Sequence, residues 1–426
     1  MCHMKISVVG GGYVGLVTGT CFAELGHDVT IIEIDPEKVR AINNCQPPIY
    51  EAGLEDLLKK NARGRLHANT GYESVSSAEI VLIAVGTPPK PDGSANLSYI
   101  EAASASIGKA LKDNPSYCVV VDKSTVPPGT TEKIIKPAVL KASGKTEKEI
   151  GFAMNPEFLR EGRAVEDFLN PDRIVIGSSN SRAGERVAEV YKNVKAPVIR
   201  TEITAAEMIK YTSNAFLATK ISFSNEIGNI CKNLGIDVYD VMQGVGLDRR
   251  IGPLFLNAGA GFGGSCFPKD VSALVSLAKE SGENPVLLES VLKVNEQQPH
   301  RMITLLKKRV GSLNGKRIAV LGLAFKDNTD DIRDSRAIPV IHELVHNGAQ
   351  VAAYDPMAAP NMRKIYPDIE YCSSAADALR GADACLVMTE WSEFSRLDKE
   401  FDLMAYKVII EGRRILSWKD AEGICW

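Results

Sequence analysis

Short apolar runs, each closed by glycine, proline or a polar turn, alternate with helical periodicity through the first half of the chain. Lys5 to Val9, Asp28 to Ile34, Glu79 to Val85, Tyr117 to Asp122 and Gly151 to Met154 read as strands, and Leu16 to Leu25 as a helix stopped by Gly26. Strands that alternate with helices indicate βαβ units and a parallel sheet. From Thr204 the alternation stops, and a long helical stretch carries Ile221, Phe223, Ile227 and Ile230 with little charge, as expected of a helix buried between domains or subunits. Leu287 to Val310 is again helical, up to the polar turn Gly311 to Gly315. A second α/β unit follows, with strands over Lys316 to Gly322, Gln350 to Tyr354, Ala382 to Met388 and Lys407 to Glu411, and a helix over Ser335 to Asn347. The expected class is therefore α/β: two doubly wound parallel-sheet domains, residues 1–203 and 312–426, joined by a helical domain over 204–311.

The first strand runs into Gly10-Gly-Gly12-Tyr13-Val14-Gly15, which opens the first helix, and the second strand ends in Glu33. A lone G-x-G-x-x-G says little. Strand before, helix after and an acid about 20 residues on are the context of a dinucleotide fingerprint. Gly10 makes the turn, Gly12 admits a pyrophosphate, Gly15 packs helix on strand, and Glu33 accepts from a ribose hydroxyl. A carboxylate there repels a 2′-phosphate, so NAD is expected rather than NADP.

Further strand ends carry Thr87, then Ser124 and Thr125, then Glu157 and Glu161, and in a doubly wound sheet such ends line the ligand crevice. Glu157 and Glu161 would share a face if their segment were helical. On the long helix, Glu207, Lys210 and Asn214 form one polar stripe, and a Lys and an Asn on a buried face need partners. In the second α/β unit the loop Gly322 to Arg333 lacks the three-glycine spacing. It still brings Lys326 and Arg333 to a strand's C-terminal end, where a phosphate-bearing ligand would be gripped.

Gly259-Ala-Gly-Phe-Gly-Gly-Ser-Cys-Phe-Pro-Lys-Asp270 is the most unusual stretch. Its glycines permit positive φ and close approach to a ligand. Pro268 suits a first helical position and Lys269 to Glu280 reads as a helix ended by Gly282, which places Cys266 just before a helix N-terminus, where the dipole and free N–H groups favour a thiolate. A glycine-rich turn with a small buried hydrophobe is the plainer alternative for this stretch taken alone.

Composition changes little. The chain has 426 residues, 45% hydrophobic and 24% charged, with a net charge of −3, so no broad basic surface marks it for nucleic acid or membrane. No apolar run reaches the length of a membrane span, and no signal peptide is visible. Nine cysteines without a Cys-x-x-Cys pair suit free thiols in a reducing, cytoplasmic setting, and the histidines lack metal-ligand spacing, so no metal is expected. Met1-Cys2-His3 precedes the strand pattern and carries no assigned function.

Taken together, Gly10-x-Gly12-x-x-Gly15, Gly86-Thr-Pro, Ser124-Thr-Val-Pro-Pro-Gly-Thr130, Asn155-Pro-Glu-Phe-Leu-Arg-Glu161, Glu207-x-x-Lys210-x-x-x-Asn214, Gly263 to Asp270 and Phe325-Lys-x-x-Thr-x-Asp-x-Arg333 resemble the nucleotide-sugar 6-dehydrogenases, over essentially the whole chain. The resemblance implies Rossmann-like end domains, a homodimer, and oxidation of a sugar C6 alcohol to a carboxylate with reduction of two NAD. It gives Cys266 the role of nucleophile, Lys210 and Asn214 that of oxyanion donors, Asp270 with Thr125 that of holding a water, and Glu161 that of base with Glu157 assisting. For NAD it implies Gly10, Gly12, Tyr13, Val14, Gly15, Glu33, Lys38, Thr87, Ser124, Thr125, Glu161, Cys266, Lys269 and Arg333. For the sugar nucleotide it implies Glu157, Phe158, Leu159, Arg160, Lys210, Asn214, Phe255, Leu256, Asn257, Gly259, Gly263, Phe325, Lys326 and Arg413, with Arg250 reaching the neighbouring subunit's substrate. Glu33 stands where many relatives have Asp, and Asp327 where some have a second Lys. Phe267 and Pro268 resemble the branch that oxidises UDP-glucose to UDP-glucuronate more than the acetamido-sugar branch; GDP-mannose or a UDP-N-acetylhexosamine is the competing substrate. A two-electron hydroxyacid dehydrogenase would share the fingerprint but would not need Cys266.

Overall fold

The computed structural model describes residues 3–416 and 420–426; of the Met1-Cys2-His3 leader, the first two residues lie outside the described part. The chain divides into two compact units, Met1–Ser213 and Asn214–Trp426.

In the first unit the strands are β1 (Lys5–Val9), β2 (Asp28–Ile32), β3 (Leu66–Asn69), β4 (Ile80–Ile83), β5 (Cys118–Asp122), β6 (Ile150–Met154), β7 (Ile174–Ser178) and β8 (Val198–Thr201). They form one sheet in the order β3-β2-β1-β4-β5-β6-β7-β8. Every pairing is parallel except β6 with β7. That antiparallel pair departs from the all-parallel expectation, and the connection over 155–173 explains it: it holds only the six-residue helix Ala164–Leu169, and the chain re-enters the sheet at the end where β6 leaves it instead of crossing over. The central strands β4, β5 and β6 are buried at every position, so their unbroken apolar runs reflect cover on both faces. Chain order reverses between β1 and β4, which puts a crevice at the carboxyl ends of these strands.

The second unit holds β9 (Arg317–Leu321), β10 (Gln350–Tyr354), β11 (Glu370–Tyr371), β12 (Ala384–Val387), β13 (Ile409–Glu411) and β14 (Glu422–Gly423), all parallel, in the order β11-β10-β9-β12-β13-β14. Its reversal lies between β9 and β12. Three helices matter for the chemistry: the long helix Ile203–Leu234, the cysteine helix Phe267–Glu280 and the helix Val286–Val310. The start of the long helix packs Ile203, Ala206 and Ile209 into the core of the first unit. Its next turns place Ala215, Ala218 and Ile221 against Phe262, Val271 and Val291 of the second. Among the described residues, no helix is long and apolar enough to cross a membrane.

Candidate active site

After β1 the three fingerprint glycines meet different constraints. Gly10 has φ +107°, and a Cβ on it would overlap the carbonyl of Ala84; a Cβ on Gly15 would overlap the carbonyl of Gly10. At Gly12 nothing lies within 4 Å of the added carbon. Two glycines therefore serve the turn and the strand–helix contact, while the third leaves open space at the N-terminus of the helix Tyr13–Glu24, where backbone N–H groups favour an anion. Glu33 follows β2, and its carboxylate accepts from Gly11 N at 2.8 Å and Asp35 N at 3.0 Å. Each oxygen keeps a lone pair for a hydroxyl. Lys38 stands in the first turns of the helix Pro36–Asn43, capped by Asp35. The next two strand ends are tied together: Thr87 Oγ1 donates to Thr125 O at 2.8 Å, and Ser124 N donates to Asp122 Oδ1 at 2.9 Å.

The end of β6 carries a buried charge cluster. Lys210 Nζ lies 2.8 Å from Glu157 Oε1, with both side chains at most 5% exposed. Glu157 Oε2 accepts from Leu159 N at 2.6 Å. Burial raises the affinity of Glu157 for a proton, but Lys210, the Leu159 N–H and Lys123 outweigh it and hold the carboxyl below its usual range. Lys123, also buried, donates to Asn155 Oδ1 at 3.0 Å and to the hydroxyl of Tyr191 at 3.3 Å. Burial, against the attraction of Glu157 and with the repulsion of Lys210, pushes its ammonium down to about 8.

Residues 155–160 form no helix, so Glu157 and Glu161 do not share a helical face; Asn155-Pro156 opens an extended loop, and the next helix starts at Ala164. That loop is pinned by Glu51, whose carboxylate accepts from Gly162 N at 2.7 Å and Ala164 N at 2.8 Å. The Tyr13 hydroxyl bonds to the same carboxylate and accepts from Gly162 N, which links the fingerprint helix to the residue after Glu161. Phe158 lies under Arg173 and within 5.4 Å of Lys210 Nζ, and Leu159 packs on the core. Arg160 closes bidentately on Asp167 at the surface. Glu207 caps the Ser124 to Thr130 loop, accepting from Gly129 N at 2.5 Å and Thr131 N at 2.8 Å.

In the second unit Cys266 is the N-cap of the cysteine helix, which starts at Phe267, two residues before the expected Lys269. Ser265 Oγ lies 3.6 Å from Cys266 Sγ. Asp270, fully buried, accepts from Asn214 Nδ2 at 2.6 Å and pairs with Lys269 Nζ at 2.6 Å. Asn214 is one turn beyond Lys210 on the long helix. Phe255, at φ 64°, and Phe262 both contact the ring of Phe267 edge-on. Leu256 is buried and Asn257 exposed. Gly259 and Gly263 are the two glycines whose Cβ would overlap the Gly412 and Asp334 carbonyls. Arg413 Nε pairs with Glu390 at 3.1 Å while its Nη2 donates to Gly261 O. Lys326 follows Phe325, the ring that covers Gly264. Arg333 folds back on Asp331, and exposed Arg250 on Asp248.

Three family models tile the chain: the NAD binding domain of the UDP-glucose/GDP-mannose dehydrogenase family over residues 4–195, its central domain over 204–297 and its UDP binding domain over 319–418. The chain belongs to this dehydrogenase family. A UDP-glucose 6-dehydrogenase of Haloferax volcanii is 49% identical over 98% of both chains, and one of Bacillus subtilis is 46% identical over 98% of this chain and 91% of its own. A solved UDP-glucose dehydrogenase from Pyrobaculum islandicum superposes with a TM-score of 0.95 at 43% identity, covering 100% of this chain and 98% of its own. This dehydrogenase is thus an NAD-dependent oxidoreductase, and the opening at Gly12 with the placed Glu33 carboxylate fits the dinucleotide. Glu51 and Lys123 escape a reading of the sequence: Glu51 stands in a polar loop without periodicity, and the Lys123 signal is only an adjacent Ser-Thr turn.

Proposed function

We propose that the protein oxidises UDP-glucose at C6 to UDP-glucuronate, a four-electron reaction in which Cys266 holds the carbon between the two oxidations. The observation that carries this reading is Cys266 at the N-cap of a helix whose first turn holds a fully buried Asp270 bonded to Asn214. When bound, NAD accepts a hydride at each oxidation. In the first, the C6 alcohol loses hydride and a proton to become an aldehyde. The Cys266 thiolate adds to that carbonyl carbon, and the oxygen takes up a proton to give a thiohemiacetal. Loss of a second hydride and proton leaves a thioester; water cleaves it, releasing the carboxylate and restoring the thiol. Lys210 and Asn214 stabilise the developing oxyanions, since a charge held without solvent reorganisation is worth most where water is excluded. Asp270 and Thr125 together hold a water and help remove the alcohol proton, and Glu161, aided by Glu157, is the base for hydrolysis of the thioester. Gly10 to Gly15, Glu33, Lys38, Thr87, Ser124, Lys269 and Arg333 hold the cofactor. Phe158 to Arg160, Phe255 to Asn257, Gly259, Gly263, Phe325, Lys326 and Arg413 hold the sugar nucleotide.

A homodimer is part of the reading. Phe216, Phe223 and Ile230 recur every seven residues on the long helix and are half or more exposed, which is a continuous apolar stripe for a second copy to cover. Arg250, 89% exposed on its side chain, is then free to reach the partner's sugar nucleotide once it leaves Asp248. A reducing, cytoplasmic setting keeps Cys266 a free thiol. The deciding experiment offers UDP-glucose, UDP-galactose, GDP-mannose and UDP-N-acetylhexosamines with NAD and counts NADH per sugar. Two NADH from UDP-glucose are expected. Reaction of an acetamido sugar alone overturns the substrate, and one NADH per sugar overturns the thioester route. Cys266→Ala should abolish acid formation while NAD still binds.

A further inference from the structure

The glycine run ahead of Cys266 is held by amide side chains whose role the proposed chemistry leaves unassigned. Asn295, on the helix Val286–Val310 and 1% exposed, grips Phe262 at both backbone groups: its Oδ1 accepts from Phe262 N at 2.7 Å and its Nδ2 donates to Phe262 O at 3.0 Å. One turn on, Gln298 Nε2 donates to Gly259 O at 2.8 Å, and its Oε1 is fixed by Asn229 at 2.9 Å. Asn225 on the long helix accepts from Gly259 N at 2.7 Å. A loop with four glycines in six residues has many accessible conformations, and ordering each residue costs on the order of 1–2 kcal/mol. Two amides from one helix and a third from another select one of them, and they do so by pairing buried peptide groups that would otherwise be costly. The register is tight, since a Cβ at Gly261, φ +102°, would stand 2.6 Å from Asn295 Oδ1.

We infer that Asn295 is a positioning residue for Cys266 and for the sugar nucleotide: its double grip on Phe262, supported by Gln298 and Asn225, sets the backbone that ends four residues later at the nucleophile. The inference rests on Cys266 being that nucleophile. Asn295→Asp is the informative variant. Its carboxylate still accepts from Phe262 N but opposes Phe262 O; once protonated, its O–H donates there and restores the pair, and burial favours that protonated form. With UDP-glucose and NAD at pH 8, the variant should lose roughly 100-fold in kcat/KM, as a misplacement of about 1 Å costs. KM for NAD should stay within about twofold, and the loss should shrink toward pH 6 relative to the parent protein. Asn295→Ala should show the loss without the recovery, and Gln298→Ala a smaller loss in the same direction. The rate of Cys266 alkylation by iodoacetamide, followed by peptide mass, is measured on all of them, and each variant should differ from the parent severalfold. Equal alkylation rates and unchanged kcat/KM and pH profile in folded variants, even with lowered thermal stability, would overturn the inference. If the parent protein fails to oxidise UDP-glucose, the functional reading falls while the alkylation rates still decide whether Asn295 sets the Cys266 loop.

Discussion

Removing the Lys210 ammonium separates what the Glu157 pair does for the fold from what Lys210 does for the reaction. The two groups are 2.8 Å apart with side chains 4% and 5% exposed, so neither is solvated by bulk water when its partner leaves. Breaking such a buried pair from one side costs about 3–5 kcal/mol, because an uncompensated charge remains. For a unit the size of Met1–Ser213, which holds both groups, each kcal/mol lowers Tm by roughly 2–4 °C, so Lys210→Met should melt this unit about 10 °C lower. Replacing both partners, with Glu157→Gln added, removes the stranded charge, and the double variant should be more stable than Lys210→Met alone. The pH dependence has a defined sign. Glu157 has a folded pKa below its unfolded value, so its contribution is present above the unfolded value and is lost as pH falls through the folded one. Without Lys210 the carboxyl pKa rises, and the acid limb of the stability profile should move to higher pH. Catalysis should not recover with stability: loss of an oxyanion donor costs roughly 100- to 1,000-fold in kcat. Urea midpoints across pH 4–8 and kcat for the two single variants and the double decide the matter. Additive stabilities within about 0.5 kcal/mol, or a Lys210→Met kcat within threefold of the parent, would refute the reasoning.

Two further outcomes follow from the first unit. Lys123 holds its proton only to about pH 8 in the folded state against 10.5 for an ordinary lysine, so between those values the unfolded chain binds the extra proton and stability rises with pH. The stability difference between the parent and Lys123→Met should therefore shift by about 3 kcal/mol in the parent's favour from pH 7.5 to 10.5; parallel profiles would show that the ammonium is not strained by burial. Glu33→Gln keeps one acceptor for Gly11 N or Asp35 N and loses the other along with the charge, so KM for NAD should rise about tenfold and the preference over NADP should shrink; an unchanged NAD to NADP ratio would exclude Glu33 from the ribose site.

The strands that carry the site were legible because they are buried on both faces and read as plain apolar runs, and because glycine, threonine and proline close each of them at the crevice. Bounds shifted by a residue or two: β2 stops at Ile32, leaving Glu33 in the turn, and the first helix begins at Tyr13. The strands β3 and β8 left no such signal, whereas β7, Ile-Val-Ile closed by Gly177, carries one that the sequence reading passed over. β3 reads Leu-His-Ala-Asn, and β8, an edge strand, is exposed along most of its length, so neither shows a sustained apolar run. What periodicity could not reveal is which polar residues serve backbone groups. Glu51 and Asn295 look like surface residues in the sequence and Glu207 like one member of a polar stripe, yet each satisfies two peptide groups of a loop that carries candidate site residues.

That shared habit explains why the long helix and the helix after the cysteine are polar where burial would favour apolar side chains. A crevice built from loops needs open backbone to meet ligands, and open backbone has peptide groups that no sheet or helix satisfies. Three loops that carry candidate site residues are each answered by a buried carboxylate or amide: Glu207, on the long helix, for the loop after β5; Glu51, itself in a loop, for the loop after β6; and Asn295 and Gln298, on the helix Val286–Val310, for the loop before Cys266. A carboxylate serves where two N–H groups converge, and an amide where an N–H and a carbonyl must both be met. The assignment follows from the donors present: Gly129 and Thr131, like Gly162 and Ala164, offer two N–H groups, whereas Phe262 offers one of each. Exchanging the two kinds, Glu207→Gln or Asn295→Asp, leaves shape almost unchanged and sets one like pair face to face, which is why these near-isosteric changes should disturb the site more than their size suggests.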